Sequence, residues 1–429
     1  MTIGWGIDGN GSGNALKRKA WPRAGVLVAS ALIAAGPGWA SANTRPAVPD
    51  QPPDATAATP SFNDVAATSP SNAWIVGTTQ LPLHPWHTLV VHWNGRTWRR
   101  VPSPDEPGRR TSSGLTAVAA TSLRNAWAVG FTNLLNHSTI IEHWNGVAWK
   151  LVPSPQPPKG KFSTLDDVAA TSRNDAWAVG YETIGPGSNS RSLIEHWNGT
   201  NWKQVPSPSI TTPGGEQIQN GLSGVTAISV NNVWAVGDYI VGSGSAQTLI
   251  EHWNGTKWAI VPSPDPQGQF SPTFLGGVAA ISPTDIFAVG SAGDVFAPTA
   301  TMILRWLGAT WQPVKSPSND ETVESLSDVS AVSASDAWAV GSYENQISHT
   351  NNLTLILRWN GRRWLAVRAP FPRGAVVDSL GSVAAVSAKQ AWAVGSIGGG
   401  PHDGAALLLR WNGARWAIAA LPRLLGRHG

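Results

Sequence analysis

A tryptophan recurs along this chain at Trp74, Trp127, Trp177, Trp234, Trp338 and Trp392, with Phe287 filling the one vacant place, at spacings of 50 to 57 residues. Self-similarity at that period means that each unit is one supersecondary module unable to bury its apolar face alone, so neighbouring units must stack. The period is longer than that of WD40 units. Each repeat reads L-x-x-V-A-A-x-S, then D/N-A-W-A-V-G, then L-I-E-H-W-N-G-x-x-W, then V-P-S-P. A second Trp stands at 93, 144, 197, 253, 306, 359 and 411, and a third five residues after each. The segments are short, rich in Val, Ile and Trp and bounded by turn residues, which predicts four strands per repeat. The expected fold is all-β, a seven-bladed β-propeller with four antiparallel strands per blade, spanning residues 61–421.

Two turns are explicit. Ser-x-x-Asp/Asn, as in Ser172 to Asp175, suits a tight hairpin around a type I turn. Asn-Gly, present in six repeats and replaced by Leu307-Gly308 in the fifth, predicts a two-residue type I′ hairpin. That register sets Trp93 opposite Arg96 and Val91 opposite Trp98, leaving the two Trp as diagonal neighbours. Blades taper inward, so the small Val-Ala-Ala strand belongs at the axis and the Trp-bearing strands at the rim. The first and last repeats are both complete, so closure is expected from side-chain packing without an exchanged strand.

Upstream of the repeats, Lys17, Arg18, Lys19 and Arg23 precede the apolar run 25–35 and the small-residue site Ala40-Ser41-Ala42. This has the form of a cleaved export signal over 1–42, by the Sec or twin-arginine route, and the apolar run is shorter than the roughly 20 residues a spanning helix needs. A Pro-rich linker, expected to be disordered, follows over 43–60, and 422–429 forms a C-terminal tail. The formal charge is +4, of which the leader supplies a surplus of three, leaving about +1. So neutral a body lacks the electrostatic footprint of a nucleic-acid binder. Cys is absent, which excludes disulfides, iron–sulfur clusters and thiolate zinc sites. The expected product is a secreted or envelope-associated monomer of a bacterium, with no membrane span after cleavage and no cofactor.

Ala176-Trp177-Ala178-Val179-Gly180 resembles the kelch strand that ends in a double glycine, and His196-Trp197-Asn198-Gly199-x-x-Trp202 resembles its spaced Tyr and Trp. The likeness extends over residues 62 to 421, with one Gly where kelch repeats have two and Trp in place of Tyr. It implies the propeller fold of the kelch and galactose-oxidase central-domain type and leaves function open. The copper radical chemistry of galactose oxidase needs a Tyr crosslinked to Cys, which this chain lacks.

Alternating strands put both tight turns on one face of the disc and the uneven connections on the other, which marks the long-loop face for binding. Trp86, in Leu81 to His87 with His84 and His87 beside it, is the one Trp of the mature chain outside the framework. It can stack on a sugar or simply cover its own blade. Phe131, Tyr181, Tyr239 and Tyr343 follow the second-strand Gly, either as an aromatic rim for a ligand or as rings laid across a neighbouring blade. Asp64, Asp167 and Asp328 precede the first-strand Val, near the channel mouth, where they can hold a cation or amine or cap a strand. His92, His143, His196 and His252 sit in four different blades and cannot converge on a metal. They give way to Arg305, Arg358 and Arg410 while Glu142, Glu195 and Glu251 become Leu, a paired packing change expected at blade-to-blade contacts.

No nucleophile elbow or Walker loop is present, and Gly4-x-Gly6-x-x-Gly9 follows no strand. The sequence therefore favours a non-enzymatic module that binds an extracellular glycan or protein. The alternatives are a sialidase- or glycosidase-like propeller using loop carboxylates such as Glu182, Asp238, Asp294, Glu344 and Asp403, and a purely structural envelope component.

Overall fold

The computed structural model describes residues 59–80, 84–105, 112–132, 138–157, 161–184, 189–208, 210, 219–242, 245–264, 272–294, 297–317, 322–345, 350–372, 375–398 and 404–421. The expected leader and most of the linker lie outside them, as does the tail. Among the described residues there are 28 strands and no helix, grouped in consecutive four-stranded antiparallel units, a number that fits seven blades. In the first unit β1 (Thr59–Ser69), β2 (Asn72–Gln80), β3 (Trp86–Trp93) and β4 (Trp98–Val101) pair in sequence order. A single parallel pairing, Ser190 with Gln219, joins the third and fourth units into one eight-stranded sheet.

The first strand of each unit packs on the first strand of the next, and that of the seventh, Val377–Ser387, packs on β1. Small side chains make this crowding around an axis possible. Each first strand carries a bulge before its Val, between Phe62 and Asp64 in β1 and at the matching place in every other unit. The bulge drives a backbone carbonyl toward the second strand, and this explains the Gly that ends every A-W-A-V-G. A Cβ on Gly180 would lie 2.1 Å from the carbonyl oxygen of Thr164, and one on Gly77 would lie 1.9 Å from that of Ser61.

Wedges of indole hold the units together. The second-strand Trp is fully buried and meets the third- and fourth-strand Trp of the following unit, the latter nearly edge-on: Trp74 lies 5.0 Å from Trp144 and 5.2 Å from Trp149. Trp127, Trp177, Trp234, Phe287 and Trp338 repeat the arrangement. Trp392 of the last unit meets Trp93 and Trp98 of the first, each at 5.0 Å. Aromatic pairs at such distances add about 0.5–1.5 kcal/mol beyond the area they bury. Ring closure therefore uses the same wedge as every other seam, with no strand exchanged among the described residues.

The second hairpin departs from the expected register. Trp93 pairs directly with Trp98, and His92 with Arg99, across a four-residue connection instead of two. The reason is the Asn side chain. Asn94 Oδ1 accepts the backbone N–H groups of Arg96 and Thr97, both at 3.0 Å, while Gly95 takes φ 90°. This Asx turn outcompetes the two-residue loop. The direct pairing brings the two indoles to 5.6 Å.

Candidate functional site

The axis is lined by the three aspartates, each already engaged. Asp64 accepts the Val65 N–H at 2.8 Å and, across the seam, the Val118 N–H at 2.7 Å. Asp167 joins Val168 to Val225, both at 2.7 Å, and Asp328 joins Val329 at 2.7 Å to Val383 at 2.9 Å. Ser382 of the last unit also donates its hydroxyl to Asp64. Each carboxylate is thus a staple between neighbouring inner strands. Burial pushes all three above the usual carboxylate range, Asp328 to about 7, and the charge of Asp64 raises Asp167 and Asp328 further. The carboxyls sense one another across the channel, yet among the described residues no group of three or more His, Asp or Glu has metal-holding geometry. Where Asp is missing, the position is Ala117, Gly224, Gly277 or Ser382. A Cβ on Gly277 would come within 2.9 Å of an Asp328 oxygen.

At the strand ends away from the tight turns the aromatic residues do not form one rim. Trp86 and Phe131, from the first and second units, meet edge to face at 6.2 Å, both partly exposed. The backbone N–H of Trp86 donates to Ser112 Oγ at 3.2 Å. Gly114 makes the seam possible, since a Cβ there would lie 2.8 Å from Thr78 and 2.9 Å from the Phe131 ring. Tyr181 stacks on Phe162 at 5.8 Å, and Tyr343 packs on the core between the fifth and sixth units. Tyr239 donates its hydroxyl to Gln247 and lines a hollow of about 160 Å³ with Ile210, Thr248, Ile260 and Ser263. Of the loop carboxylates, Glu182 is buried and held by Arg191 at 2.8 Å and Gln204 at 2.6 Å, whereas Glu344 is exposed. Asp403 falls outside the described residues.

The histidine set contacts its own blade first, a correction to the blade-to-blade expectation. His92, His143, His196 and His252 each lie 4.0–4.2 Å from the second-strand Trp of their own unit. Each Nε2 bonds the residue that opens that strand, Asn72, Asn125, Asp175 or Asn232. Burial holds His92, His143 and His252 below the usual imidazole value. The arginines do bridge blades: Arg305 stands 5.1 Å from Phe287 and 5.1 Å from Trp359 of the next unit, and Arg410 reaches back to Trp93 at 5.5 Å.

The most unusual polar groups are the glutamates of the paired exchange with Leu, expected at blade-to-blade contacts. Glu142, Glu195 and Glu251 are fully buried on the opposite face of the third strand, each turned toward the preceding unit. Ser103 of the first unit's V-P-S-P link lies 2.9 Å from both Glu142 oxygens, and Ser207 is placed identically on Glu251. Both oxygens of Glu195 lack a hydrogen-bond partner. Burial raises all three to about 8. The signal was present in the repeat, as a Glu recurring inside an otherwise apolar L-I-E-H strand.

No protein-family model and no curated protein matches the chain. Among solved structures it resembles an ulvan lyase of a new polysaccharide lyase family bound to a glucuronic acid–sulfated rhamnose ligand, at TM-score 0.52 and 12% identity over 85% of this chain and 97% of that one. It also matches YCF48 bound to D1 peptide (TM-score 0.49, 12% identity, 82% and 92%). The third is the fucose-recognising lectin of Aleuria aurantia, a six-bladed β-propeller (TM-score 0.43, 13% identity, 72% and 95%). Likeness this distant bears on architecture alone. With the closed circuit of inner strands and indole wedges, it places this chain among the β-propeller repeat proteins.

Proposed function

We propose that this chain is a seven-bladed, kelch-like β-propeller, exported through its N-terminal signal, that acts as a monomeric, non-enzymatic binding module for an extracellular glycan or protein. The observation that carries this reading is the asymmetry of the two strand ends. At one end every unit is finished by the same two tight turns. At the other, partly exposed aromatic rings meet across the seam of the first two units, with Trp86 against Phe131, and Tyr239 overlies a separate hollow in the fourth unit. Ring faces flanked by amide and hydroxyl groups suit the C–H faces and hydroxyls of a neutral sugar, or an apolar peptide side chain. Catalysis by paired loop carboxylates finds less support, because Glu182 is committed to Arg191 and Gln204.

The test is binding of the 43–429 fragment to a glycan array and to cell-envelope extracts, repeated with Trp86→Ala. Loss of about tenfold in affinity, roughly 1.4 kcal/mol, with an unchanged thermal midpoint supports the reading. Equal binding by the variant overturns Trp86 as a contact. Release of oligosaccharides from a bound polysaccharide replaces the module with an enzyme.

A further inference from the structure

A run of hydrogen bonds leads from the surface beside Trp86 into the seam between the first two units. His87 Nδ1 lies 2.8 Å from Asp105 Oδ2, with both side chains part-exposed. Asp105 Oδ1 accepts the Thr88 N–H at 2.8 Å and the Thr88 hydroxyl at 3.1 Å. Thr88 Oγ1 accepts the Ser103 hydroxyl at 2.8 Å, and Ser103 Oγ stands 2.9 Å from each oxygen of buried Glu142.

Counting protons along this run decides the state of its buried end. Ser103 has one hydroxyl proton and faces two acceptors, Thr88 Oγ1 and the Glu142 carboxyl. Thr88 has spent its own proton on Asp105. Every contact is satisfied only if Glu142 is the neutral acid, donating to Ser103, which donates to Thr88, which donates to Asp105. Asp105 is the charged group that faces Glu142 and disfavours its ionisation, and the imidazole of His87 in turn faces Asp105. The first and second units meet here through both Glu142–Ser103 and Trp86–Phe131.

We propose that Glu142 is a proton-dependent latch on the seam between the first two units, exchanging its proton with solvent through Ser103, Thr88 and Asp105, so that its ionisation displaces Trp86 from Phe131. Loss of the proton would leave a buried carboxylate beside Asp105, and separating the two strands is the available relief. The regulatory meaning of this latch rests on the proposed binding role of the Trp86–Phe131 pair; the latch itself does not. Ligand affinity at that pair is then greatest at neutral and acid pH and falls in mildly alkaline solution.

The experiment uses the full mature chain with 4-fluorophenylalanine at position 131, whose fluorine resonance senses the Trp86 ring and needs no ligand. Between pH 6 and pH 10 the resonance is expected to move with a midpoint near the value of about 8 that burial imposes on Glu142. Glu142→Gln keeps a donor toward Ser103 and should give a flat profile. Ser103→Ala removes the acceptor of the Glu142 proton and cuts the run to Thr88, so its midpoint should differ from that of the parent chain. A titration unchanged in Glu142→Gln, or a flat parent profile, overturns the latch. Because no glycan or protein is added, failure here is distinct from failure of the ligand screen.

Discussion

The second to fourth units and the fifth to seventh build the same seam from opposite materials. On the face of the third strand turned to the preceding unit, the former bury Glu142, Glu195 and Glu251, while the latter bury Leu304, Leu357 and Leu409 in clusters with the preceding unit's second-strand aromatic, Trp234, Phe287 or Trp338. On the opposite face the exchange reverses. The early units stack a half-buried His, whereas the later ones place Arg over two rings and, in the fifth and sixth, against Asp285 or Asp336. A repeat can therefore hold its backbone constant while moving polarity from one face of a strand to the other. The early seams bury an acid where the later ones bury Leu, and that of Glu195 has no hydrogen-bond partner, which makes them the half more readily opened.

The hardest way to break either half is to remove its wedge. Trp177→Ala and Trp338→Ala should each cost about 3–5 kcal/mol in denaturant unfolding, the usual range for losing a buried Trp. The second should cost more, because Arg358, 4.9 Å from the Trp338 ring, loses its cation–π face. Equal losses would mean that the arginine contributes little to its seam.

The next largest effect is in pH. A buried Glu raised from 4.5 to about 8 stays protonated in the folded chain while its unfolded counterpart ionises. The unfolded state then binds fewer protons, so stability is full below pH 4.5, falls as pH rises toward 8 and stays low above it. The early-half imidazoles, held low by burial, work the other way and weaken the fold below pH 6.5. Glu195→Leu, which copies the later units, should remove part of the alkaline decline and add about 1–3 kcal/mol at pH 8, the cost of a buried unsatisfied group. The acid limb should be unchanged. Thermal midpoints from pH 4 to pH 9 would show whether the two limbs separate.

A smaller difference is expected from the ion pairs. Arg305 grips Asp285 through two bonds, at 2.7 and 2.8 Å, but its side chain is partly exposed, so Arg305→Lys should cost no more than about 1 kcal/mol and be salt-sensitive. His196→Ala in the early half should show a weaker salt dependence, which double-mutant cycles with Asp175 and Asp285 can resolve.

Most of the architecture is legible in the spacing of Trp and Gly, because a wedge of three indoles and a Gly under each bulge recur wherever the backbone recurs. The second hairpin escapes the pattern because the backbone preference of Asn-Gly does not encode an Asn side chain that accepts two amides. The axial aspartates were visible as departures from Ala or Gly, but their role as staples depends on contacts more than fifty residues apart, such as Asp64 with Val118, and no local pattern encodes those. Trp86 was conspicuous alone. Its meeting with Phe131 and its route to Glu142 require two units to be set side by side.

The fifth unit also tests the turn itself. Leu307 replaces the Asn of the other turns, so its side chain cannot accept the two following amides as Asn94 and Asn360 do, although Gly308 keeps φ 86°. Leu307 is 50% exposed, so the substitution brings no compensating burial. Leu307→Asn should restore the two bonds and raise stability by about 0.5 kcal/mol, the low end for solvent-exposed hydrogen bonds. The gain should appear as slower amide exchange at Ala309 and Thr310 before it is visible in the thermal midpoint. If exchange there is unchanged, the positive-φ Gly and the Trp306–Trp311 contact at 5.9 Å hold the turn by themselves, and the Asn of the other units is a preference of the backbone alone.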